Sequence, residues 1–118
     1  MTHKFKELQI WKRGRIFCSE IYKITYAFPD SERFGITNQL RRASVSIPSN
    51  IAEGSSRKSN KGFVRSLKIA IGSAYEIETQ LLIASDLKFI EHNQLNPIIS
   101  ELDEIIKMIS KFKSTLSI

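Results

Sequence analysis

Four stretches of this chain carry apolar residues at four-three spacing, a periodicity that suits packed helices and little else. Ile10, Gly14, Phe17, Ile21, Ile24 and Phe28 form the first seam, and Ile36, Leu40, Ala43, Ile47 and Ile51 the second. Phe63, Leu67, Ala70, Ala74, Ile77, Leu81 and Ala84 form the third, mostly alternating large with small. Leu95, Ile98, Leu102, Ile105, Ile109, Phe112 and Leu116 form the fourth. Pro29, the Gly54-Ser55-Ser56 run and the segment before Pro97 punctuate them, which predicts helices over about 5–27, 37–54, 60–88 and 94–115. No strand candidate has comparable length, and no internal repeat appears. Short connections between four long helices imply an all-α fold, a single antiparallel up-down-up-down four-helix bundle spanning residues 1–118.

Local residues refine this reading. Gly14 falls on the first seam, where it lets a neighbouring helix approach closely at about 1 kcal/mol in helix propensity. Pro48 lies inside the second helix by periodicity, since the apolar stripe continues in phase to Ile51; the expectation is one helix kinked at Pro48, not two helices. Thr37 is the expected N-cap of the second helix, and Ser59 or Asn60 that of the third. Ile99 and Ile106 add a second apolar row to the fourth helix, more than one partner helix requires. With Trp11 and Tyr22 on the flanks of the first, that row points to self-association.

The second helix carries a further stripe. Gln39, Arg42, Ser46 and Asn50 lie one position before each core residue, with Glu53 three on, about 100° round the helix. Arg42, Ser46, Asn50 and Glu53 are therefore the candidate structural polar network, the alternative being a solvated helix end. Pro48 frees the carbonyl of Ser44, for which Ser46, Ser49 and Asn50 supply possible donors.

Charge is asymmetric. Residues 1–68 hold 14 Lys or Arg against 5 Asp or Glu, and residues 69–118 hold 4 against 7, so the net +6 resides in the first half. This raises the prior for an anionic partner, RNA or DNA first. Lys58, Lys61, Arg65 and Lys68 step by three, four and three across the start of the third helix, and Arg57 extends them. No aromatic residue interleaves that run, so contacts would be to phosphate. Lys12, Arg13 and Arg15 on the first helix, and Arg41 on the second, are candidate additions to the surface.

Chemistry is scarce. Di-iron bundles use Glu-x-x-His pairs, but His3 and His92, the only histidines, do not follow Glu at that spacing. Cys18 alone makes neither a zinc site nor a disulfide, and no phosphate loop or nucleophile elbow is present. Glu53, Glu76 and Glu78 read as structural. The expectation is a protein without catalytic residues, metal or cofactor. The start MTHKFKELQIWK has no signal-like apolar run and no stretch reaches membrane-span length, which predicts a cytoplasmic chain.

Several segments are distinctive beyond periodicity: Gln39 to Gly54 (QLRRASVSIPSNIAEG), Phe5 to Trp11 (FKELQIW), Phe28-Pro29 with Glu32-Arg33-Phe34-Gly35, and Gly72 to Glu78 (GSAYEIE). Together they resemble a bacterial four-helix-bundle family encoded in intervening sequences of large-subunit ribosomal RNA genes, the S23-type ribosomal-protein-like proteins. The resemblance runs from about Phe5 to Lys107. It departs at Gly14, where a better helix former is usual, and at Lys88, where glycine is common. By the same resemblance the chain is similar to the accessory proteins of diversity-generating retroelements, which look like basic, ring-shaped oligomers that bind nucleic acid and a reverse transcriptase. The resemblance thus implies a homopentamer and, by analogy only, a reverse-transcriptase partner. A protein-interaction scaffold with no nucleic-acid role is the alternative.

Overall fold

The computed structural model describes residues 3–117. Four helices account for most of them: α1 (Gln9–Thr25), α2 (Ile36–Ser55), α3 (Asn60–Asp86) and α4 (His92–Ser114). Each packs on the next, and α1 closes the ring against α4. The diagonal pairs α1/α3 and α2/α4 do not meet. The result is an up-down-up-down four-helix bundle, 46 Å along its longest axis. Phe17, Ile21, Leu40, Ile47, Ile51, Leu67, Ile77, Leu81, Leu102, Ile105 and Ile109 are fully buried along the common axis, as their four-three spacing requires.

Helix ends differ in detail from expectation. Phe5–Glu7 form a separate 3-10 turn, because Leu8 is extended (φ −77°, ψ 128°) and interrupts the helix. Leu8 packs on the core, and Phe5 meets Trp11 edge-on at 5.1 Å, a contact that the fold-back permits. Thr37 is not the cap of α2. Gly35 holds that position, and the Glu32 carboxylate accepts from the Ile36 amide at 3.4 Å. A Cβ on Gly35 would lie 2.6 Å from the same carboxylate oxygen, so the bare glycine leaves room for this cap. Ser59 caps α3, accepting from Gly62 N at 3.2 Å, and Glu91 with Gln94 builds a capping box at α4.

Pro48 does not divide α2, which is a single helix from Ile36 to Ser55. Gly14 lies where α1 crosses this proline. A Cβ on Gly14 would lie 3.2 Å from Ile47 Cγ2 and 3.7 Å from Pro48 Cδ, so the bare glycine lets α1 pass close to the proline turn. At the far end of α3, Lys88 adopts φ 64°, the conformation that favours glycine. Phe89 N donates to Ala84 O and Lys88 N to Ser85 O, both at 2.9 Å, which is the Schellman pattern.

The apolar row of Ile99 and Ile106 is not surplus, contrary to expectation. Ile106 is 8% exposed and Ile99 half-buried against the core, as suits a helix with two neighbours, α1 and α3. Among the described residues the exposed large apolar side chains lie elsewhere. Ile16 and Tyr22 are on α1 with Tyr26 just past its end, Phe34 precedes α2 and Val45 is on it, while Ile69, Tyr75, Leu82 and Ile83 are on α3, with Leu87 just past its end.

Candidate nucleic-acid interface

The cationic side chains fall into two groups once their partners are known. Arg57 is tied to Glu53 at 2.5 Å on the exposed turn after α2. Arg13 donates from Nε and Nη2 to Glu101 Oε1 at 2.9 and 2.7 Å, and from Nη1 to Met108 Sδ at 3.3 Å, which clamps α1 to α4. Arg41 donates from Nε to Thr25 Oγ1 at 2.9 Å and from Nη2 to Tyr22 O at 3.4 Å, with its guanidinium 4.8 Å over the Tyr22 ring. Arg13 and Arg41 are engaged in holding helices together, and Arg57 is paired locally at the end of α2. They are weak nominees for a phosphate surface.

Lys58, Lys61, Arg65 and Lys68 are exposed, and none has an ion-pair partner among the described residues. Lys58 sits in the α2–α3 turn; Lys61, Arg65 and Lys68 line a shallow depression on the outside of α3 with Val64 and Ile69. Sequence periodicity places them there because Phe63 and Leu67 turn inward. Lys12 and Arg15 are also exposed, but α1 is diagonal to α3, so they form a separate face and do not extend the first.

The polar stripe of α2 is the seam along which α3 packs. Asn50 Nδ2 donates to Ser46 O at 2.8 Å and to Ser46 Oγ at 2.9 Å, and Ser46 Oγ meets Ser73 Oγ at 2.8 Å. Two helical turns away, Gln80 Nε2 donates to Gln39 Oε1 at 3.2 Å. Arg42 and Glu53, expected in this network, are outside it. Arg42 is exposed, lining a groove with Gln39, Ser46, Ser73 and Glu76, and Glu53 belongs to Arg57. Ser44 Oγ donates to Arg41 O at 2.9 Å and to Cys18 Sγ at 3.4 Å. Ser73 and Gln80 were missed as members, and Gln39 was placed on the stripe without a partner, since only the order of helices round the ring pairs them.

Gly54 completes the seam, its backbone lying under Phe63 and Ser66 of α3. Residues 6–111 match the family described as 23S rRNA-intervening sequence protein. The chain belongs to that family. A similar solved structure is a Bacteroides thetaiotaomicron VPI-5482 protein of unknown function from the S23 ribosomal protein family. It is 25% identical with a TM-score of 0.79, over 88% of this chain and 97% of that one. No curated protein matches the chain. In this family member the QLRRASVSIPSNIAEG run thus builds the α2–α3 contact, supplying Gln39, Ser46, Asn50 and Gly54 to it. Among the described residues no helix is long and apolar enough to cross a membrane, and no three His, Cys, Asp or Glu side chains converge in a metal-ligand group.

Proposed function

We propose that this protein is a non-enzymatic, homo-oligomeric bundle that binds RNA or DNA through phosphate contacts on the outer face of α3. The observation that carries the reading is the uncommitted state of Lys58, Lys61, Arg65 and Lys68, beside arginines on other faces that are held by carboxylates or hydroxyls. Such a surface neutralises phosphates without reading base edges. Repetition of the face round an oligomer multiplies weak contacts into useful affinity.

Fluorescence anisotropy with labelled RNA and DNA tests it. Affinity should fall steeply with salt, show little sequence preference, and be mostly lost in Lys61→Glu/Arg65→Glu with helical circular dichroism unchanged. Binding that ignores both salt and these substitutions rejects the reading. The second reading is a protein-interaction scaffold, favoured by the exposed Ile69, Tyr75, Leu82, Ile83 and Leu87 on and beside α3. It predicts assembly without any nucleic-acid affinity.

A further inference from the structure

We propose that the groove along the outer face of α1 is a second nucleic-acid contact, specific for single strands, in which Lys12, Arg15 and Lys23 hold phosphates and bases stack at Trp11–Arg15 and Tyr26. The proposal rests on the nucleic-acid reading above but names a different surface and a different chemistry. The groove is lined by four cations, Lys6, Lys12, Arg15 and Lys23, against one carboxylate, Glu20. None of the four is ion-paired among the described residues, whereas Arg13 on the same helix is consumed by Glu101. Charge complementarity therefore selects a polyanion.

Aromatic placement selects the single strand. The Arg15 guanidinium lies 5.4 Å over the Trp11 ring, and Trp11 is in turn braced edge-on by Phe5 at 5.1 Å. That order holds an indole and a guanidinium together at the groove wall, and each is a group on which an unpaired base stacks. Tyr26, immediately past the end of α1, is 87% exposed. It stands about 16 Å along the helix from Arg15, at about 1.5 Å per residue. Lys23 lies one turn before it, on the stretch between the two platforms. A duplex keeps its base faces hidden and gains nothing from these rings. The depression on α3 has no aromatic among its lining residues, so it lacks this discrimination.

Trp11 is the only tryptophan, and it sits in this groove on the helix diagonal to α3. Its emission therefore reports on the groove alone. Titration with an oligothymidylate of about 12 nucleotides should quench it saturably, with a duplex of equal length at least roughly 5-fold weaker. Lys12→Glu/Arg15→Glu should abolish the quenching, and Tyr26→Ala should weaken single-strand binding about 5-fold or more while leaving duplex binding unchanged. In Lys61→Glu/Arg65→Glu the quenching should persist at reduced overall affinity. Nucleic acid bound with Trp11 emission unchanged, or equal affinity for the duplex in the groove, overturns this inference and leaves the α3 surface standing. Absence of any nucleic-acid binding overturns both.

Discussion

Gly54 lies directly beneath Phe63, so close that a methyl group on it would sit 2.7 Å from ring atom Cδ1, and equally close to Ser66 Cβ. Phe63 is itself wedged edge-on between His3 and Phe112 at 5.2 and 5.5 Å, and is 2% exposed. The ring has nowhere to retreat. Gly54→Ala should therefore destabilise by about 1–3 kcal/mol through overpacking, although alanine is the better helix former. Denaturant unfolding at fixed protein concentration measures this; a stabilised variant would mean that the α2–α3 contact is looser than described.

Lys88 holds the left-handed turn between α3 and α4 at a cost that glycine avoids. The penalty for a left-handed L-residue is about 1–2 kcal/mol, partly offset by the greater freedom glycine has in the unfolded chain. Lys88→Gly should raise stability by about 0.5–1 kcal/mol, read as a higher unfolding midpoint with the denaturant slope unaltered.

Asn50 and Glu53 share a stripe but should respond differently. Asn50 is half-buried and donates twice to Ser46, so Asn50→Ala should cost about 1 kcal/mol. Glu53 pairs with Arg57 where their side chains are 60% and 52% exposed, and water competes for both. Glu53→Ala should stay within about 0.5 kcal/mol. Equal losses from the two changes would contradict the separation.

The number, order and core seams of the helices were legible because four-three spacing acts along one chain and needs no knowledge of neighbours. Partnerships were not. Ser46 and Asn50 read correctly as edge residues of α2, yet Ser73 enters only because α3 is the helix at that edge. Arg41 and Arg42 are chemically identical neighbours, and only Thr25 and Tyr22 on α1 distinguish them. Ile106 looked surplus because the pattern of one helix cannot show that it packs on two others. Arg15 over Trp11 was equally invisible as a platform, though the i,i+4 spacing of an arginine and the tryptophan was there to be noticed.

The adjacent arginines give a paired test of that distinction. Arg41 is half-buried, bonded to Thr25 and Tyr22 and stacked on the Tyr22 ring, whereas Arg42 is exposed with no hydrogen-bond or ion-pair partner among the described residues. Arg41→Ala should cost about 1–3 kcal/mol through lost charged hydrogen bonds and stacking. Arg42→Ala should be neutral within about 0.5 kcal/mol. Thermal unfolding of the two variants side by side decides it, and the reverse order would return Arg42 to the structural network.

Assembly and folding should likewise separate on two isoleucines. Ile83 is 44% exposed on the outside of α3, on the same side as Ile69 and Leu87, so its apolar surface is covered only if another subunit covers it. Ile106 is buried within the subunit between α4 and its neighbours. Ile83→Glu should therefore shift the mass found by light scattering from an oligomer, about five times 13.5 kDa for the pentamer that the family resemblance implies, towards the monomer, with helical content retained. Ile106→Ala should do the opposite, costing about 2–5 kcal/mol in stability through the cavity it leaves while the folded protein keeps its stoichiometry. If Ile83→Glu leaves the mass unchanged and Ile106→Ala dissociates the assembly, the contact between subunits lies on α4 after all.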